Sequence, residues 1–390
     1  MRTTTIARPA SSAPRTGAVP SADAGPTARR LIDTPGLPRL VLPTVIPGNA
    51  RGPALPETAV LLKHGHYLVP SAPPPSWRQM EEVGLARIVA VARSCIVAVA
   101  RSCPESLLSH ESAALLQGAW LLAHEPDVHL LQASNPRAPS QLLPAVVYGG
   151  PVVWGRTAGL PPRGDGRLWR GREVRLRRRR RRVPDDQRTT RMGIPVTTIA
   201  RTLADCLVDL SGPDAFVVGD ALLRTGCQYD RRRPERSRYS LEALLEDTAE
   251  ILRAMAGRRG VARARKLLSL LSPASESPGE SLTRYWLLRL GAPEPQLQIR
   301  VDDRGETWYL DLGWLVVMVE VEYDGEGKYA LSGDALFREK QRQDRLAALG
   351  WRTLRVTKRD LKNPHDLFAR VLALIPADLQ VHITPRPWMA

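Results

Sequence analysis

WYLDLGWLVVMVEVEYDGEGK, residues Trp308 to Lys328, decides the fold of the C-terminal part of this chain. It reads as two short strands joined by a tight turn at Leu312-Gly313-Trp314, the first ending on Asp311. The second is apolar and β-branched until it turns acidic at Glu320, Glu322 and Asp324, just before Gly325. Side chains alternate along a strand. The three acids therefore share one face, and Val319, Val321 and Tyr323 share the other. Carboxylates at that spacing repel and raise one another's pKa unless a cation or a base compensates. A hairpin brings Asp311 beside this acidic end. Hard divalent cations such as Mg²⁺ take one or two carboxylates plus substrate phosphate oxygens. Read alone, the stretch fits equally an edge strand whose polar face is simply solvated.

The flanks extend the pattern. Ser277-Pro278-Gly279-Glu280 is a helix start, and the helix predicted from it runs to about Leu290. Downstream, Asp334 to Leu349 predicts an amphipathic helix stopped by Gly350. A strand follows over Trp351 to Val356, then a last helix near His365 to Ile375. The order is helix, three strands, helix, strand, helix. SPGES, LDL, VEYDG, FREKQRQDRL and GWRTLRVT occur in that order, and over residues 275–376 the chain resembles the Vsr-like (very-short-patch-repair-type) endonuclease domains of the PD-(D/E)XK superfamily.

The resemblance implies roles. Asp311 would be the metal-binding aspartate, with Glu322 and Asp324 in the family's acidic position before the glycine and Glu280 the supporting carboxylate from the first helix. Mg²⁺, or Mn²⁺, would be the cofactor. Many relatives carry a histidine four residues after the second-strand aspartate; here that place is Lys328, which could orient water, stabilise the phosphate or contact DNA. The superfamily's lysine two residues after the acid is replaced by Asp324. That departure bears on turnover and not on the fold. On the following helix, Arg338, Arg342 and Arg345 read as phosphate contacts or surface salt bridges.

The 390 residues allow two or three domains with sizeable cores. The net charge of +16 and pI near 10.4 point to a polyanionic partner, nucleic acid first and an anionic membrane surface second. The charge is uneven. Glu276 to Arg370 holds 15 Lys and Arg against 16 acids, whereas Pro151 to Arg191 holds 14 Arg against 4 acids. Non-specific phosphate attraction is thus expected mainly outside the nuclease-like part. The six arginines Arg177, Arg178, Arg179, Arg180, Arg181 and Arg182 read as a solvated flexible arm that binds phosphates. Four Cys without a CxxC or a Cys/His spacing argue against disulfides and zinc. No apolar run approaches the roughly 18 residues of a membrane span, and the expected compartment is the cytoplasm.

Residues 1–55 hold only Asp23 and Asp33 as acids and are rich in Pro, Ala, Ser, Thr and Arg, the composition of a disordered tail. Ala59 to Val69 reads as the wing of a winged helix, with Lys63, His64 and His66 facing DNA or solvent. Ile88–Cys95 is repeated without change as Ile96–Cys103, an in-frame duplication whose eight-residue step turns a helix by about 80°. In Ser109-His110-Glu111-Ser112 a catalytic reading competes with a plain helix start capped by Ser109, and the latter is simpler. That element, together with Gly193 to Asp205, resembles the AbiEi-type antitoxin-like region that precedes Vsr-like domains in actinobacterial proteins. Between Gln132 and Arg182 the sequence shows no clear alternation of strands. Helices are predicted over Thr197–Leu210, Asp214–Arg224, Ser240–Met255 and Val261–Leu271.

The expected fold class is α+β or α/β and multidomain: a PD-(D/E)XK-like domain after a mainly helical region with a degraded winged-helix-like part. The expected divisions are a tail (1–55), a winged-helix, AbiEi-like region (56–150), an Arg-rich flexible segment (151–192), a helical region (193–274), the Vsr-like domain (275–376) and a tail (377–390). The leading functional expectation is a metal-dependent DNA endonuclease. The rival is a non-enzymatic DNA-binding regulator carrying an inactive nuclease fold, and a weaker third reading is an inactive mobile-element remnant.

Overall fold

The computed structural model describes residues 45–47, 60–63, 66–68, 77–99, 106–148, 169–325, 333–377, 380 and 383–390. Most of the expected tail over 1–55, His64 and Lys328 lie outside the described residues. The architecture is multidomain, with both helical and sheet regions. Strands β1 (Val45–Pro47), β2 (Val60–Lys63) and β3 (His66–Leu68) form an antiparallel sheet in the order β1-β3-β2. Helix α1 (Trp77–Val99) packs Val83 and Ile88–Ala92 against Leu62 and Leu68. The duplicated octapeptide begins inside this helix.

The second sheet is built from β4 (Leu107–Leu108), β5 (Val128–Gln132), β6 (Ser140–Leu142), β9 (Arg175–Arg180), β10 (Arg188–Arg191) and β11 (Ile194–Thr197), in the order β10-β11-β4-β5-β9-β6. Helix α2 (His110–Leu116) follows β4, and β7 (Val147–Tyr148) pairs with β8 (Trp169–Arg170). Residues 132–182 thus do contain strands, contrary to the reading of the sequence. The arginine run is not a flexible arm either. Arg177 to Arg180 belong to β9, parallel to β5 with His129 opposite Arg177 and Leu131 opposite Arg179, and Arg181 and Arg182 follow it directly. Leu176 anchors it in the same core as Val128 and Leu130. A run of like charges folds as a strand because alternation splits it between two faces, one of which is lined with acids.

The helical region comprises α3 (Ile199–Asp209), α4 (Gly212–Cys227), α5 (Arg238–Ala254) and α6 (Val261–Leu268), close to the predicted spans. Thr198 caps α3 by accepting from the Arg201 amide. Their apolar faces meet in one cluster that also takes Tyr285 and Leu288 from α7 (Pro278–Leu290) and Met389 from the chain end. A buried pair, Arg284 to Asp220 at 2.7 and 2.9 Å, ties α7 to α4.

The last domain follows the predicted order: α7, β12 (Gln296–Asp303), β13 (Glu306–Trp314), β14 (Val319–Asp324), α8 (Gly333–Ala348), β15 (Arg352–Thr357) and α9 (Pro364–Leu372). Its sheet runs β12-β13-β14-β15, antiparallel except for the parallel last pair, the crossover being α8. Leu312, Val321 and Val356 pack on Leu287 of α7 and on Leu367 and Val371 of α9. Ile299 and Leu310 pack on Leu346 of α8. One detail departs from expectation. The turn lies at Leu315–Met318, and Gly313 is inside β13, opposite Glu320. A Cβ on Gly313 would sit 2.5 Å from the Val319 carbonyl oxygen. The glycine permits a close strand approach and does not make the bend.

Candidate acidic site of the C-terminal sheet

Strand parity sets two of the acids on one face. Glu320 and Glu322 point toward α8, opposite Thr353 and Arg355 in the parallel register with β15. Glu320 is fully buried and Glu322 is 6% exposed. Asp311 follows Leu310 on β13, and its Oδ2 accepts the Tyr323 amide at 3.0 Å, beyond the ladder pair Leu312–Val321. Glu280 enters from the start of α7 through a capping box. Ser277 Oγ accepts the Glu280 amide at 3.1 Å and donates to Glu280 Oε1 at 2.8 Å, while Glu280 Oε2 accepts the Glu276 amide at 2.8 Å. Gly279 lets that turn lie on Tyr323, whose ring a Cβ would meet at 2.1 Å.

These positions are electrostatically costly. Burial, then the nearby Asp311, pushes Glu280 from 4.5 to about 7. Burial also lifts Glu320 to about 7; Thr353 and Arg342 work against the rise, and Glu322 and Asp311 add to it. Asp311 is thus the charge that both feel.

Two arginines oppose the cluster. Arg342 of α8 pairs with Glu322 at 3.1 Å, Glu339 at 3.3 Å and Glu320 at 3.5 Å. Arg355 of β15 lies 3.5 Å from Glu322 and 3.6 Å from Asp324, and also pairs with Glu339. Burial disfavours the Arg342 charge, but Glu322, Glu320 and Glu339 outweigh it and raise its pKa. Arg342 therefore belongs to the site. Arg345 instead pairs with Asp303 at 2.7 Å and covers the Trp308 ring, and Arg338 is exposed. The sequence reading missed Arg355 and left Glu320 out of the site. Parity with Glu322 across β14 and β15 was the available signal for Arg355.

The donor chemistry, anionic oxygens on Asp311, Glu322 and Asp324, suits a hard divalent cation. Among the described residues, however, no three His, Cys, Asp or Glu side chains are grouped so as to hold a metal ion as they stand. Among the described residues, the guanidinium groups of Arg342 and Arg355 contact Glu322 and Asp324.

The second arginine set divides by parity. Arg177 Nε reaches Asp127 at 2.5 Å, Arg179 bonds His129 Nδ1 at 2.7 Å, and Arg181 pairs with Asp205 at 2.5 Å and Asp209 at 3.2 Å. Arg178 and Arg180 lie on the other face, near Gln141 and Asn135. Ser109 does not cap α2 with its side chain; its Oγ bonds His110 Nδ1 at 2.8 Å, and His110 Nε2 bonds Asp209 at 3.0 Å. His110 and Ser109 are fully buried, so this Ser-His-Asp chain faces no substrate.

No family model matches the chain, and no solved structure matches it. It is similar to two proteins of Mycobacterium tuberculosis, "Uncharacterized protein MT2308" of strain CDC 1551 / Oshkosh and "Uncharacterized protein Rv2248" of strain H37Rv. Each is 34% identical over 149 residues, which is 36% of this chain. The chain spans about half the length of these relatives, 54% of each. Among the described residues no helix is long and apolar enough to cross a membrane.

Proposed function

We propose that this is a DNA-binding protein whose PD-(D/E)XK-like, Vsr-like C-terminal domain hydrolyses phosphodiester bonds with Mg²⁺ or Mn²⁺. The observation that carries the reading is the burial of Glu280 and Glu320 around Asp311, with both acids pushed to about 7. Packing gains nothing from such mutual repulsion, and perturbed carboxylates in one place mark sites of chemistry. Asp311, Glu322 and Asp324 would hold the cation, with Glu280 as the supporting carboxylate. The bound cation would supply an activated water and neutralise phosphate charge. Of this chain's own groups, Arg342 and Arg355 must yield Glu322 and Asp324 to it, and a phosphate arriving beside them is the natural alternative partner for a guanidinium.

The pairing of these arginines favours a second reading, a DNA-binding regulator with an inactive nuclease fold. In it Arg342 and Arg355 are permanent counter-ions. A Mg²⁺-dependent cleavage assay on plasmid and mismatched duplex DNA separates the two. Asp311→Asn should abolish cleavage, leave DNA binding intact and shrink the rise in Tm that Mn²⁺ gives the wild type. A wild type with neither cleavage nor metal-linked stabilisation leaves the regulator reading.

A further inference from the structure

Gln298 stands in the middle of β12 with φ +49, the left-handed region that non-glycine residues seldom adopt inside a strand. The consequence is visible in the packing. Leu297 lies with the α7 and α9 cluster, but Ile299 lies with the α8 cluster, although residues two apart in a regular strand share a face. On β13, Leu312 and Leu310 divide in the same way. Leu297 pairs with Leu312 and Ile299 with Leu310, so the two strands exchange faces together, and Gln298 and Asp311 lie at the crossing.

Glycine would adopt that backbone freely. The position instead carries a buried amide, 8% exposed, and both ends of it are in use. Nε2 donates to Glu280 Oε2 at 3.5 Å, and Oε1 accepts from Arg231 at 3.3 Å. Arg231 comes from the helical region, just after α4. It also pairs with Glu276 at 2.7 Å and covers the ring of Tyr309, on β13, at 4.8 Å. Arg224 of α4 shares Glu276 at 3.1 Å, and the Glu276 amide is the one that Glu280 accepts. The cap of α7 therefore holds Glu280 from its own helix, and Gln298 holds it from the sheet.

We propose that Arg231 is a positioning residue for the acidic site, acting through the Gln298 amide on Glu280, so that the site is assembled across the helical region and the C-terminal domain. This rests on the hydrolytic reading above for its catalytic consequence, and on the hydrogen-bond chain alone for its structural one. Arg231 is one-third exposed and Gln298→Gly relieves a left-handed backbone, so neither substitution should unfold the chain.

The test uses the full chain with Gln298→Gly, Arg231→Gln, Arg231→Lys and the double variant Gln298→Gly/Arg231→Gln. On supercoiled plasmid with Mn²⁺, each of the first two should lower kcat roughly 10–100-fold, the usual cost of losing an outer supporting bond. KM should stay level, and metal-free Tm should be unchanged or higher for Gln298→Gly. Arg231→Lys should recover part of the loss. The double variant should be no worse than the poorer single one, because both interrupt the same hydrogen-bond chain. Unchanged kcat in both single variants, or losses that multiply in the double, overturns the proposal. If the wild type neither cleaves nor gains stability from Mn²⁺, the hydrolytic reading has failed and the side-chain amide signal of Gln298 decides the rest. That NMR signal, assigned by its disappearance in Gln298→Gly, should shift in both Arg231→Gln and Glu280→Gln. A signal that moves in neither variant overturns the proposal.

Discussion

Two arginine–carboxylate networks in this chain use the same chemistry to opposite effect. Around β9 and α3, five arginines, Arg172, Arg177, Arg181, Arg201 and Arg258, pair with three aspartates, Asp127, Asp205 and Asp209. In the C-terminal sheet, among the described residues, Arg342 and Arg355 pair with Glu320, Glu322, Asp324 and Glu339. The pKa directions differ between the two. Burial would raise Asp209, but His110, Arg181 and Arg258 overwhelm it and hold the acid well below the usual carboxylate range. In the second network burial prevails and Glu320 rises to about 7. The first network is saturated with positive charge and behaves as structure. In the second, burial outweighs the Arg342 charge at Glu320, as the hydrolytic reading expects of a site that a cation or a substrate approaches.

The largest effect should come from breaking the saturated network. Asp205 is fully buried and holds Arg181 at 2.5 Å and Arg201 at 2.9 Å. Asp205→Ala leaves Arg201 without its carboxylate and Arg181 with Asp209 alone, and should cost about 3–5 kcal/mol in urea unfolding. A loss below about 1 kcal/mol would erase the distinction between the networks, since that is the scale of surface pairs.

Acid should attack the same network next. His110 is fully buried beside Asp209, Asp205, His129 and Arg179, and burial lowers its pKa from 6.5 to about 4. Its folded pKa lies below the unfolded value, so the unfolded chain binds the proton first. The stability due to neutral His110 is complete above pH 6.5 and declines as pH falls toward 4. The loss amounts to about 3 kcal/mol by linkage. His110→Gln should remove most of that decline between pH 6.5 and 4, measured as the difference between the two unfolding curves. A wild-type slope retained in the variant would assign the acid sensitivity elsewhere.

The parity of β9 sharpens the contrast within a single strand. Arg177, Arg179 and Arg181 are committed to internal partners, while Arg178 and Arg180 lie on the other face and Arg182, just past the strand, is exposed. Replacing the even-numbered three with Gln should leave Tm nearly level and lower the slope of log K against log salt for duplex DNA, by up to about 0.9 for each phosphate no longer neutralised. An unchanged slope would remove this strand from the proposed DNA-binding surface.

Much of the C-terminal domain was legible in the sequence. The order of its elements, the Ser277–Glu280 cap and the shared face of Glu320 and Glu322 all follow from local periodicity and capping chemistry, which act within a few residues. What was not legible depends on distant partners. The arginine run reads as a repelling arm until Asp205 and Asp209, on a helix beginning at Ile199, arrive to neutralise one face of it. Gly313 reads as a turn until the Val319 carbonyl is seen against it. Arg355 reads as one more surface charge until the parallel register sets it opposite Glu322. Gln298 carries no local signal at all, because its left-handed backbone is imposed by two cores lying on opposite faces of the sheet.

Of the changes made inside the two networks, the smallest in stability should come from Glu320→Gln, and its sign is the most informative. Glu320 accepts from Thr353 at 2.9 Å and from Arg342 at 3.5 Å, and an amide of nearly the same shape can keep one acceptor for either. Its folded pKa of about 7 lies above the 4.5 of the unfolded side chain. The stability it confers when protonated is therefore full below pH 4.5 and is lost as pH rises through 7, the reverse of His110. A neutral amide does not titrate, so the variant should match the wild type near pH 4.5 and gain on it toward pH 8. The gain should be about 1 kcal/mol, well short of the full linkage value, because Arg342 loses a partner as Glu322 and Asp311 lose a repulsive neighbour. A variant that instead falls behind as pH rises would show that the Glu320 carboxylate is stabilised in its charged form. The acidic site would then be as saturated as the network around α3, and the case for a missing cation would lose its electrostatic footing.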